Sequence, residues 1–262
     1  MSSSSVALPN STARIREHID AGHVTWTWPL VMLVSRFALF ALWQAVIAGV
    51  YALQGDPAAW ESSIAWWPLT ATAANVIGLW LLARLARHEH FRWRDVIRFD
   101  RRTLKPDLLT YLGLTLISLP VAFLPNLVVG SLLFGDAAQA SNLMIRALPA
   151  WAAVVTLVTF PITNALAELP TYYAYAMPRL QALSRRGWLA LALAAFWHAA
   201  QHCTLPLLFD ARFIVWRLAM FLPFALLVAV VVRWRPRLLP YMLAGHVLLD
   251  LQMSLMVLSL SL

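Results

Sequence analysis

Five side chains in this sequence sit where charge is expensive. Glu168 lies in a long apolar run, His198 and His202 in the next, and His246 with Asp250 in the last. A carboxylate can take a proton from water, an imidazole can hold or relay one, and a paired imidazole and carboxyl can face a developing oxyanion. His198 and His202 are four residues apart, as are His246 and Asp250, so each pair occupies one face of a helix. Around Glu168, the residues Asn164, Glu168, Tyr172, Tyr175 and Arg179 follow at offsets of four, four, three and four, a polar face in a segment otherwise suited to lipid. Ionisable groups inside membrane segments usually face a bundle interior or a watery cavity and mark a functional site. Glu168, His198, His202, His246 and Asp250 are therefore candidates as a set, with Tyr172 and Asn164 on the face of Glu168. Arg36, in the first run, is explained by snorkelling or by pairing with a helix carbonyl.

The elements that must hold these groups are apolar helices. Of the 262 residues, 61% are hydrophobic and only 12% charged, against about 25% charged in an average soluble domain. Seven runs approach the roughly 20 residues a crossing helix needs: 26–51, 65–83, 108–134, 148–175, 188–203, 213–232 and 238–260, the fifth being the shortest. The expected fold is an all-α, polytopic transmembrane bundle of about seven spans. Residues 1–25 read as a disordered cytoplasmic tail, and residues 26–262 as a single bundle. Pro170 supplies a reason for a break in the fourth run, since it lacks an amide hydrogen and crowds the carbonyl of Leu166.

The net charge of +8 comes from 19 Arg and one Lys. Most of these cations lie before the first run and between the second and third, fourth and fifth, and sixth and seventh. That is a topology signal and not a nucleic-acid surface; it predicts a cytoplasmic N-terminus and an external C-terminus. The basic stretch 84–105 interleaves Phe91, Trp93, Val96, Ile97 and Phe99 with arginines, which suits either an amphipathic interfacial helix or a solvated loop with aromatic anchors. Trp26, Trp28, Trp60, Trp66, Trp67 and Trp151 read as an interfacial belt, and the single cysteine, Cys203, as a packing residue.

Three motifs in order resemble those of the CPBP family of intramembrane proteases, which includes the CAAX-processing endopeptidases and bacterial Abi-like relatives. The family's first motif runs Glu-Glu-x-x-x-Arg-Gly-Tyr and on to Pro-Arg-Leu; Glu168, Tyr175, Pro178, Arg179 and Leu180 match it. Leu169, Tyr173 and Ala174 replace its second Glu, its Arg and its Gly. The second motif, Phe-x-x-x-His, is met by His202 with His198 in the Phe position, and the third, His-x-x-x-Asn/Asp, by His246 and Asp250. The resemblance spans about 148–252. Leu169 and a Tyr173 hydroxyl can stand in for a buried ion pair without leaving an orphan charge.

The resemblance implies a multi-pass protein of the cell membrane that hydrolyses a peptide bond in a membrane-associated protein or peptide. Glu168 and His202 would activate water, while His246 and Asp250 would stabilise the oxyanion. The residues flanking His202 favour it over His198 as the active imidazole. That mechanism needs no cofactor. The alternative is a zinc protease with Glu168, His202 and His246 as ligands; no carboxylate lies between His198 and His202, as a zincin helix would require. A non-catalytic scaffold or a proton-coupled transporter is the reading outside enzymes.

Overall fold

A computed structural model of the protein describes residues 10–262. The Ser-rich stretch 2–5, expected to be disordered, lies outside the described residues. The chain is all-α, 82% helical and without strands among the described residues. Its helices are α1 (Thr12–Asp20), α2 (Thr27–Leu53), a short α3 (Ala59–Ser63), α4 (Trp67–His88), α5 (Leu104–Phe134), a short α6 (Ala137–Asn142), α7 (Ala150–Leu169), α8 (Met177–Ser184), α9 (Gly187–Ala200), α10 (Ala211–Trp234) and α11 (Leu239–Ser261).

Six helical segments among the described residues are long and apolar enough to cross a membrane, and the protein is membrane-embedded. The remaining expected span, 188–203, forms the 14-residue α9 closed by a 3₁₀ turn, Gln201–Cys203. At 1.5 Å per residue α9 is only about 21 Å long. The fourth run is longer than expected: α7, a π-helical turn at Pro170–Ala176 and α8 are continuous, a 35-residue span from Ala150 to Ser184.

That extension brings Glu168 and His202 level. Counted from the ends of the runs, Glu168 and His202 belong at different depths. In the structure the chain descends 16 residues from Glu168 to Ser184, turns through Arg185 in a left-handed conformation, and climbs 15 residues from Gly187 to His202. Legs of nearly equal length bring the two residues to one height, with His202 Nε2 3.9 Å from Glu168 Oε2.

Packing within this hairpin rests on small residues. Ala190, Ala194, Ala195 and Ala199 form the buried face of α9, and Ala225, Val228, Ala229 and Val232 that of α10; both close on Tyr172, Tyr173 and Met177. Without bulky side chains the backbones approach closely, the route to association open to helices that gain nothing hydrophobic by leaving lipid. Helix α7 lies between α4 and α11, α10 between α5 and α9, and α2 against α4, α9 and the π turn. By contrast α5 buries only Asp107 and Gly130, and leaves Leu116, Leu127 and Leu132 exposed on a surface suited to lipid.

Two expectations need correction, and one pair of alternatives is decided. The stretch 10–25 is not a free tail: α1, capped by Ser11 Oγ, buries Ile15 and His18 and packs against α8. Of the two readings of the basic stretch, the structure gives the loop with aromatic anchors: its only regular element between His88 and α5 is a 3₁₀ turn at Trp93–Asp95, and Trp93, Val96 and Ile97 pack on the core. The tryptophan belt is partial. Trp26, Trp28 and Trp151 are exposed, whereas Trp67 is buried with its indole N–H donating to the Met144 carbonyl at 3.0 Å.

Candidate active site

Pro170 is where the α7 hydrogen-bond ladder fails, because it offers no N–H to the Leu166 carbonyl. The chain widens into a π turn there, a feature found often at functional sites. The wider turn alters the expected face. Asn164 and Glu168 point into the bundle as the helical spacing predicts, but consecutive residues Tyr172 and Tyr173 both reach the site: Tyr172 donates to Gln201 Oε1 at 3.2 Å and Tyr173 lies 2.6 Å from His198 Nδ1. Arg179 leaves it. Its guanidinium donates to both Glu89 oxygens at 2.8 and 2.5 Å and lies 4.1 Å from the Tyr175 ring centre, toward the end of the bundle where α1 docks.

Glu168 is the hub. His198 Nε2 stands 2.9 Å from its Oε1, His246 Nε2 3.6 Å from the same oxygen, and His202 Nε2 3.9 Å from Oε2. Arg36 Nη2 approaches Oε2 at 3.4 Å. Four different segments thus converge on one carboxylate that is 2% exposed. His246 Nε2 is also 3.3 Å from Asp250 Oδ2, and Asn164 Nδ2 donates to that oxygen at 3.0 Å. Every candidate named from the sequence, Glu168, His198, His202, His246 and Asp250 with Tyr172 and Asn164, belongs to this one network.

Arg36 neither snorkels nor caps a carbonyl. It is buried, and it donates through Nε to Gln201 Oε1 at 2.5 Å, through Nη1 to Asn75 Oδ1 and through Nη2 to Asn164 Oδ1 at 2.8 Å as well as to Glu168. A guanidinium offers five N–H donors in a fixed fork, so this one residue sets the positions of three amides and a carboxylate. Asn75, Gln201, Tyr173 and Arg36 were absent from the sequence-derived site. The available signal was weak: Arg36 and Asn75 stand singly in apolar runs, while Gln201 and Tyr173 sit beside the stronger candidates His202 and Tyr172.

Hydrogen-bond partners fix which nitrogens carry protons. His202 Nδ1 faces the His198 carbonyl at 2.9 Å. A carbonyl only accepts, so Nδ1 bears the hydrogen and neutral His202 turns a lone pair on Nε2 toward Glu168. The ring is pinned by Phe221, stacked at 3.5 Å between centroids and 11° from parallel. His198 differs. Its Nδ1 meets the Tyr173 hydroxyl, which also lies 2.9 Å from the Ala225 carbonyl. Whichever way that hydroxyl turns, the 2.9 Å approach of Nε2 to Glu168 Oε1 requires one proton between them, on the ring or on the carboxyl. Tyr173 and His198, the two departures from the motif pattern at these positions, are therefore partners in one hydrogen bond.

The irregular backbone after α9 is held by side chains. Arg217 Nε and Nη2 each donate at 3.0 Å, to the His202 and Leu205 carbonyls, supplying a cation to the end of a short helix. Gln44 exchanges two bonds with Leu207, donating to its carbonyl at 2.9 Å and accepting from its amide at 2.7 Å. Non-helical backbone at membrane depth is tolerated only when satisfied in this way.

Glu168, His198 and His202 offer ligand atoms that all lie within 4.8 Å of one another. The set nearest to a metal centre thus contains His198 in place of His246. Both imidazoles have their remote nitrogen occupied, by a carbonyl and by a phenol, as metal-bound histidines usually do. Compared with protein-family models, curated proteins and solved structures, the chain matches none.

Proposed function

We propose that this protein is a multi-pass intramembrane peptidase of the cell membrane that uses Glu168 to activate water. The observation carrying the proposal is the convergence of His198, His202, His246 and Arg36 on one buried carboxylate. The order of the three motifs, which resembles that of the CPBP proteases, adds to it.

In this reading a water molecule donates one hydrogen bond to Glu168 and the other to the free Nε2 of His202. Glu168 removes a proton as the oxygen attacks the scissile carbonyl carbon. The carbonyl oxygen becomes an oxyanion on the side of His246, Asn164 and Asp250. Collapse breaks the C–N bond, and the proton held by Glu168 passes to the leaving amine, giving a carboxylic acid and an amine; the acid's remaining proton then passes to the amine, leaving a carboxylate and an ammonium. Arg36 keeps the carboxylate in position but is too enclosed to meet substrate. His198 holds the other carboxylate oxygen and so leaves Oε2 to face His202.

Glu168→Gln keeps the shape and removes the base, so cleavage of membrane-associated peptides should fall by about 100-fold to 10,000-fold. Mapping peptides that cease to be cut in cells, with normal insertion verified, checks this. An unchanged peptide map would favour the scaffold or transporter reading.

The closely set Glu168, His198 and His202 favour a second reading, zinc-dependent hydrolysis. Chelation should leave the rate unchanged in the glutamate mechanism and abolish it in the zinc mechanism. We further propose a cytoplasmic N-terminus on the strength of the arginine loops; reporters fused after Arg102 and after Arg186 should both register cytoplasm.

A further inference from the structure

The seven histidines of the chain fall into two clusters, and the second takes no part in the chemistry above. His18 is on α1, His23 on the turn that follows, His88 is the last residue of α4 and His90 lies just beyond it. The ring centres of His18 and His23 are 5.8 Å apart, those of His18 and His90 6.3 Å, and those of His23 and His90 5.5 Å. Three imidazoles form a closed triangle. His88 adds a fourth ring 5.5 Å from His23.

One further observation points to a ligand. His18 is only 6% exposed, yet its Nε2 has no hydrogen-bond partner among the described residues. A buried polar atom left in this way costs roughly 1–3 kcal/mol unless something occupies it. His90 has a φ of 56°, in the left-handed region, which turns the chain just past α4 and presents its ring to His18 and His23. That conformation closes the helix, with the Phe91 amide donating to the Ala86 carbonyl at 3.0 Å.

We propose that His18, His23 and His90, with His88 as a fourth ligand, bind a borderline divalent transition-metal ion such as zinc. Imidazole is a preferred ligand for zinc, nickel and copper. With Zn–N bonds of about 2.0–2.1 Å in a tetrahedron, neighbouring ring centres stand about 5 Å apart, close to the spacing already present. The ring nitrogens do not converge on one point as the ligand atoms of Glu168, His198 and His202 do. His23, His88 and His90 are exposed, and rotation of their side chains completes the site around the fixed His18. The ion would join α1 to the end of α4, beside the Glu89–Arg179 pair that also receives Asn10.

The test is a metal titration of the full chain in detergent, without an added histidine tag. Because the inner cluster is itself a candidate metal site, the titration uses a Glu168→Gln/His202→Ala background. One equivalent of zinc should bind, and cobalt(II) in its place should give the intense visible absorption of a tetrahedral site. Adding His23→Ala and His90→Ala, both at exposed positions, should weaken binding by more than about ten-fold, the least that even the loss of a supporting residue around a metal commonly costs. Absence of binding in the first protein, or equal affinity with and without the two alanines, would overturn the proposal.

Discussion

The two histidine clusters use the same side chain in opposite surroundings. Around Glu168, His198 and His202 are almost wholly buried, each ring has a hydrogen-bond partner, and Arg36 joins the network from α2. At the end of the bundle where α1 docks, His23, His88 and His90 are exposed and meet other rings, and His18 is buried but unpartnered among the described residues. Burial makes an unmatched polar atom in the inner set expensive, and the matched Nδ1 of His202 fixes that ring's tautomer and orientation, although Gln201 Nε2 and His246 Nδ1 have no partner among the described residues. Water relaxes the demand outside, so the outer rings stay adjustable. In the proposed readings the inner cluster is the one prepared for a reaction, and the outer one the one free to capture an ion.

If preparation is the real difference, removing a brace should hurt the inner cluster far more than the outer. Arg36→Met leaves Glu168 and the acceptors of Asn75, Asn164 and Gln201 without their cation. It should cost about 3–5 kcal/mol, the usual loss on breaking a buried pair. His88→Ala, in the exposed cluster, should shift stability by less than about 0.5 kcal/mol. Unfolding midpoints in mild detergent compare the two, and equal costs would erase the distinction.

Asp250 sharpens the comparison within the inner cluster. It faces His246 and accepts from Asn164, and an ionised carboxylate there would repel an oxyanion. As a protonated donor it is mimicked by an amide. Asp250→Asn should then retain substantial activity while Asp250→Ala loses about 100-fold to 1000-fold. Rates on one cleavable peptide decide it; equal and severe loss in both variants would sink the donor role.

The smallest effect belongs to Tyr173. Tyr173→Phe removes the hydroxyl between His198 and the Ala225 carbonyl but keeps the ring, costing about 1 kcal/mol of stability. The ring of His198 should then turn more freely. An imidazole nitrogen resonance that broadens or shifts for His198 and stays put for His202 would register this; no change at His198 would mean that Tyr173 only packs.

Much of this was legible in the sequence. Apolar runs of about membrane thickness gave the helices, because lipid leaves a backbone few other ways to satisfy its polar groups. Helical periodicity put His198 with His202 and His246 with Asp250, and the cost of isolated charge in lipid singled out Glu168. Those are local or solvent-imposed constraints, so one chain in isolation carries them. The structure alone decided what depends on the meeting of distant segments. It extended α7 through a π turn into α8, matched the legs of the hairpin so that Glu168 and His202 stand level, and turned Tyr173 onto His198. It also made Arg36 the centre of a network in which Asn75, Asn164 and Gln201 lie 39, 128 and 165 residues away along the chain. Hydrogen bonds over such separations leave no period in the sequence, and helix packing determines them.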